Sequence, residues 1–247
     1  MDGDAPAAGR RRRYRAWPVI ALVLIAAGVL VLAALGVLPS SRRDVSEPGG
    51  APARAPATAA PSTPAPAPPP VRFVAVGDSI TVAGGDIPGG HFTDLSWVRY
   101  AVGAPMIPYG GWAVSGATTA QMAAGFAPPA GEPYVLVILA GTNDVGLDLP
   151  FSVSGPNLVA IADRAKDATR IFVTAIPPLT GREAQAARYN AELAALAAER
   201  GWTFVDPMAA VSADGRWIEG MTHDGIHPTA QGAQHIGAGI RAAVLAP

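Results

Sequence analysis

The sequence predicts a three-layer α/β/α domain with a mostly parallel five-stranded sheet over residues 71–247. Three observations lead there. Apolar, β-branched runs alternate with helical segments along this stretch, the pattern of strand–crossover–strand units. The run Tyr134–Ala140 (Tyr-Val-Leu-Val-Ile-Leu-Ala) is apolar along its length, as a strand covered on both faces must be. Gly and Pro punctuate the ends of the runs, marking turns.

In chain order, Val71–Val76 is a short buried strand ending at Gly77. Thr93–Val102 suits a helix capped by Thr93 or Asp94. A second strand falls at Met106–Val114, although Pro108 and two glycines weaken it. Thr118–Phe126 reads as a short helix and Tyr134–Ala140 as the central strand. A helix around Asn157–Ala168 precedes a strand at Arg170–Ile176, which Pro177-Pro178 stops. The helix Arg182–Arg200 has Gly201 just past its end. Trp202–Val205 is the last strand, and Pro228 opens a final helix running to Leu245.

The first 70 residues are of a different kind. Arg10 to Arg13 and Arg15 precede an uncharged stretch from Trp17 to Leu38. As a helix those residues reach roughly 33 Å, enough to cross a hydrocarbon core of about 30 Å. Five Arg flank the near side and two, Arg42 and Arg43, the far side. This asymmetry predicts residues 1–16 as a basic cytoplasmic segment, 17–38 as a signal anchor in the cell membrane, and an exported body. Cleavage near Ala34-Leu35-Gly36, giving a secreted enzyme, is the alternative. Residues 39–70 hold ten prolines and few large apolar groups, so they read as a disordered, semi-rigid linker.

Charge follows the same division. Residues 1–70 carry eight Arg against four acidic groups; residues 71–247 carry ten basic and fifteen acidic groups. A net acidic body argues against a nucleic-acid substrate, which needs a basic surface. With no cysteine, disulfides and thiolate metal sites are excluded.

Four separated motifs carry the chemistry: Gly77-Asp78-Ser79, Ser115-Gly116, Gly141-Thr142-Asn143-Asp144 and Asp224-Gly225-Ile226-His227. Ser79 follows the first strand, where its hydroxyl can point above the sheet edge; alone it also fits a helix cap. A serine nucleophile needs a base within hydrogen-bond reach. His227 is the candidate, and Asp224, three residues earlier across Gly225, can reach its Nδ1 and fix the tautomer. A turn at Asp224-Gly225 with a capping His227 is the structural alternative. Negative charge developing on an attacked carbonyl needs donors. The N–H groups of Ser79 and Gly116 and the Asn143 side-chain amide supply them. Asp144 reads as a turn cap, Ser115 and Thr118-Thr119 as helix caps, and His91 and His235 as surface or structural residues. Trp112 lines either a substrate pocket or the core. His223 and Asp224 with His227 lack a further ligand at metal spacing, so no metal is expected. The glycines at 84–85 and 89–90 match neither a dinucleotide nor a phosphate loop.

These blocks resemble those of the SGNH (GDSL-type) hydrolases. The resemblance spans residues 71–247 and implies a flavodoxin-like α/β/α fold and hydrolysis of carboxylic esters or thioesters without a cofactor. It also implies Ser79 as nucleophile and first oxyanion donor, Gly116 and Asn143 as the other donors, Asp224 as orienting acid and His227 as base. One departure stands out: many relatives carry an Asn shortly before the second-block glycine, where this chain reads Gly110-Gly111-Trp112. The expectation is a membrane-anchored esterase of short acyl groups on small-molecule or glycan esters; because the body would face cell-wall glycans, a small acyl group such as acetyl on a polysaccharide is the preferred substrate. An acyltransferase using the same residues and a non-catalytic wall-binding module are the competing readings.

Overall fold

The computed structural model describes residues 68–247. The expected span at 17–38, and all but the last three residues of the expected linker, lie outside them. Among the described residues no helix is long and apolar enough to cross a membrane.

The core is a five-stranded sheet of order β2-β1-β3-β4-β5, every pair parallel. The strands are β1 (Val71–Gly77), β2 (Met106–Ala113), β3 (Tyr134–Leu139), β4 (Ala168–Thr174) and β5 (Thr203–Val205). Successive side chains of a strand face opposite ways, so β1 feeds two cores. Val74 and Val76 pack with Met122, Leu158, Ile161 and Leu193 on one side. Phe73 and Ala75 pack with Trp97, Ile236 and Ile240 on the other. Helices α3 (Thr119–Gly125), α5 (Phe151–Arg164) and α6 (Glu183–Arg200) cover the first face; α2 (Trp97–Ala101) and α7 (Ala230–Leu245) cover the second. All six residues of β3, in the middle of the sheet, are buried.

The boundaries that differ have physical reasons. Pro108 is tolerated because β2 is an edge strand, and the pairing with β1 slips by one residue just beyond it. Helix α2 is capped by Ser96, whose side chain accepts from Val98 N–H, and not by Thr93 or Asp94. Helix α5 begins at Phe151, six residues before the expected start, and contains Pro156. The bond that Pro156 cannot make belongs to the carbonyl of Ser152, an exposed residue where water can substitute. Thr229 caps α7 through Gly232 N–H, so Pro228 precedes the helix.

Two one-turn helices add to the expected elements, α1 (Ser79–Val82) and α4 (Thr142–Gly146). So does a hairpin of β6 (Ser212–Ala213) and β7 (Arg216–Trp217). Its turn, Asp214-Gly215, has both residues at positive φ, 51° and 73°, the geometry that Asp-Gly favours.

Candidate active site

In a parallel sheet the loops at the carboxyl ends of neighbouring strands meet, and binding sites form there. Strand β1 lies between β2 and β3, so Ser79, Gly116 and Asn143, which follow these three strands, come to one edge. The turn after β1 is tight: a Cβ on Gly77 would lie 2.0 Å from Thr81 Oγ1 and 2.8 Å from the Leu139 carbonyl. Only glycine lets the chain bend between these groups. Asp78 then caps α1, its Oδ1 accepting from Ile80 N–H at 3.0 Å, and Ser79 opens the helix.

His227 reaches this edge from the loop before α7. Ser79 Oγ and His227 Nε2 are 2.8 Å apart, and His227 Nδ1 and Asp224 Oδ2 are 2.8 Å apart. Asp224 Oδ1 also accepts from the N–H groups of Ile226 and His227. Partial burial works to raise the Asp224 carboxyl. The hydrogen bonds from the backbone and ring of His227 and from Ile226 N–H, with the attraction of His227, outweigh it and hold the group down at about 2. Asp224 therefore stays a carboxylate at neutral pH and only accepts. That places the proton on Nδ1 and leaves Nε2 to accept from the Ser79 hydroxyl.

The loop carrying this pair is fastened elsewhere by backbone contacts. Gly225 has φ 85°, and a Cβ there would lie 2.2 Å from Thr180 Oγ1. Its carbonyl accepts from Thr180 N–H at 3.0 Å and from the Trp217 indole at 3.1 Å; the same indole donates to the Pro178 carbonyl at 2.7 Å. Within the loop, Thr222 Oγ1 donates to the His227 carbonyl and accepts from Gly225 N–H. Local geometry, not burial, sets the imidazole in place, for the side chains of His227 and Asp224 are 41% and 52% exposed.

The expected oxyanion donors are less directly joined. Gly116 is exposed at φ 78°, with open space where a Cβ would sit. The backbone conformation thus selects glycine here, and its neighbour Ser115 shares a cavity with Ser79 and His227. Asn143 Nδ2 donates to the Ala117 carbonyl at 2.9 Å and lies 3.5 Å from Asp78 Oδ2. Its link to Ser79 runs through Asp78.

Asp78 is the residue that sequence reasoning passed over. It is fully buried, and burial pushes its carboxyl up to about 6, against the Ile80 N–H bond and the attraction of His227. Its place between two apolar runs was the available signal. Asp144 is not the expected turn cap. It is buried within α4 and accepts from Thr119 N–H, Thr119 Oγ1 and Ser154 Oγ. This ties α4, which carries Asn143, to α3 and α5. Thr118 caps α3 in a capping box with Gln121, whereas Ser115 caps nothing and lines the cavity. Trp112 belongs to the core, packed close against Gly125. His91 and His235 are exposed. Among the described residues no group of three or more metal-ligating side chains is arranged to hold an ion.

Fold and geometry together define a doubly wound α/β protein with a serine–histidine–aspartate chain of hydrogen bonds at the carboxyl edge of its sheet. The protein belongs to the GDSL-like lipase/acylhydrolase family, whose model matches residues 75–235, and it is a hydrolase of ester bonds. No curated protein matches the sequence closely enough to count as a relative. Solved structures share the fold. One is a catalytic mutant of an acetylxylan esterase from Geobacillus stearothermophilus, with 18% identity and a TM-score of 0.60, covering 72% of this chain and 96% of that one. A GDSL-like lipase from Bacteroides thetaiotaomicron has 24% identity and a TM-score of 0.52, with 70% and 87% covered. A member of the lipolytic G-D-S-L family from Veillonella parvula has 16% identity and a TM-score of 0.52, with 71% and 97% covered.

Proposed function

We propose that the protein is a membrane-tethered, extracytoplasmic serine esterase that acts through Ser79, His227 and Asp224. The 2.8 Å approach of Ser79 Oγ to His227 Nε2 is the observation that carries this reading. Ser79 Oγ attacks the ester carbonyl carbon while Nε2 takes its proton. The N–H groups of Ser79 and Gly116 and the Asn143 amide receive the oxyanion. The imidazolium, held by Asp224, protonates the departing alcohol oxygen. Water then repeats the sequence on the acyl-serine and releases the acid.

The tether and the outward orientation rest on residues 1–38 alone. The acyl group in this reading is short, and the alcohol belongs to a small-molecule ester. A second reading, a carbohydrate O-acetyl substrate in the cell envelope, is favoured by the outward-facing location and by the fold shared with an acetylxylan esterase. The test is hydrolysis of p-nitrophenyl acetate by the full chain beside its Ser79→Ala variant. Equal turnover by the two would sink the assignment. Protease shaving of intact cells checks the orientation, with loss of residues 71–247 expected from outside.

A further inference from the structure

Beside Ser79 and His227 the protein holds a cavity of about 170 Å³. Ile80, Ala83, Leu95 and Pro228 form its apolar walls, and only Ser115 and His223 add polar groups beyond the reacting pair. A dry cavity of about 150 Å³ with Leu, Ile and Phe walls takes up benzene. This one therefore has room for a single six-membered ring or a short alkyl chain.

Leu95, in the cavity wall, is held to the nucleophile's helix through Thr93 and Ser96 on either side of it. Thr93 Oγ1 donates to the Ala83 carbonyl at 2.7 Å and accepts from Leu95 N–H. Ser96 Oγ donates to the Thr81 carbonyl at 2.5 Å. Both carbonyls belong to α1 or its C-cap, so the turn that carries Leu95 is fixed to the helix that begins at Ser79. Yet Leu95 itself is 40% exposed, an apolar wall facing water when nothing fills the cavity. Ala83 completes the wall at φ 41°, a left-handed conformation that costs a non-glycine residue energy and is typical of functional sites.

Which half of an ester enters follows from the proton path, and this step rests on the esterase reading above. As the Ser79 Oγ–carbon bond forms and the carbon–oxygen bond to the alcohol breaks, the Ser79 proton passes through Nε2 to the departing oxygen. That oxygen must lie against His227. The carbon beyond it then enters the space walled by His227, His223 and Pro228. An acyl chain seated there would turn the departing oxygen away from its proton donor. We propose that this cavity is the alcohol-side subsite, that it takes compact apolar alcohols of butyl to benzyl size, and that Leu95 supplies the apolar wall they pack against. By microscopic reversibility, the water or alcohol that attacks the acyl-serine enters through the same space.

Two ester series assayed with the full chain test this. One fixes acetyl and varies the alcohol over methyl, n-butyl, benzyl and an O-acetyl methyl glucoside. The other fixes methyl and varies the acyl group over acetate, butyrate and hexanoate. With roughly 0.8 kcal/mol per buried methylene, kcat/KM rises about ten-fold or more from methyl to benzyl acetate. The glucoside ester stays below benzyl acetate. Leu95→Ala lowers the benzyl-to-methyl ratio about ten-fold, Leu95→Met restores most of it, and neither alters the dependence on acyl length. If Leu95→Ala changes the acyl series and spares the alcohol series, or if the glucoside ester outpaces benzyl acetate, the assignment is wrong. Turnover of methyl acetate without alcohol selectivity overturns the subsite alone. Failure to hydrolyse any of these esters overturns the esterase reading and the subsite with it.

Discussion

The two halves of the site are built by opposite means. On the nucleophile side, Ser79 opens the one-turn helix that follows a strand buried from Phe73 onward, beside the buried Asp78 and Asp144. On the base side, Asp224 and His227 lie in a half-exposed loop whose order comes from hydrogen bonds among its own backbone and neighbours. The first half belongs to the core, and changes there are felt as stability. The second contributes little to the core, because a hydrogen-bonded pair this exposed competes with water. In the proposed reading its side chains serve the chemistry and not the core. The same contrast separates Asp224, held down near 2 by donated hydrogen bonds, from Asp78, pushed up to about 6 by burial.

Substitutions that test this contrast run from large to small. Ser79→Ala and His227→Ala each lower kcat by on the order of 10⁴–10⁶, read by p-nitrophenyl acetate hydrolysis. His227→Ala, on the exposed side, also leaves the melting temperature close to that of the wild type. Asp224→Ala costs less, on the order of 10³–10⁴ in kcat, since the orienting acid is the least expensive member to remove. Asn143→Ala lowers kcat by about 10²–10³ if its amide serves the oxyanion, and a change in KM alone would count against that role.

The smallest effect separates the carboxylates by pH. Asp78 has a raised folded pKa, so the native state binds its proton more tightly than the unfolded chain. Its contribution is complete below the unfolded value near 4 and is lost as pH rises through about 6. Asp78→Asn removes that slope in denaturation titrations and gains on the order of 2–3 kcal/mol above pH 7. Asp224 has the reverse sign: its contribution is present above pH 4 and lost as pH falls toward 2. A stability curve for Asp78→Asn parallel to the wild type from pH 4 to 7 would contradict the buried-acid account.

How far the sequence carried the reading follows the same division. The sheet was legible because strands covered on both faces have no polar alternation to hide them, as Tyr134–Leu139 illustrates. The spacing of Asp224 and His227 was legible because three residues and a glycine bring the two side chains together locally. Asp78 and Asp144 were not, since a buried carboxylate looks in sequence like any turn residue; its partners Thr119, Ser154 and Asn143 come from distant segments. Helix α5 was misplaced because Pro156 looks like a helix start, and nothing local reveals that its lost bond falls on the wet side. The hairpin strands are two residues each, too short to show any period.

One carbonyl, that of Gly225, is shared by the Thr180 amide and the indole of Trp217. The expected first effect of warming is a loosening of this junction that frees the imidazole while the buried strands hold. Heat inactivation should accordingly set in several degrees below the calorimetric transition and reverse on cooling, leaving a window in which the protein is folded and silent.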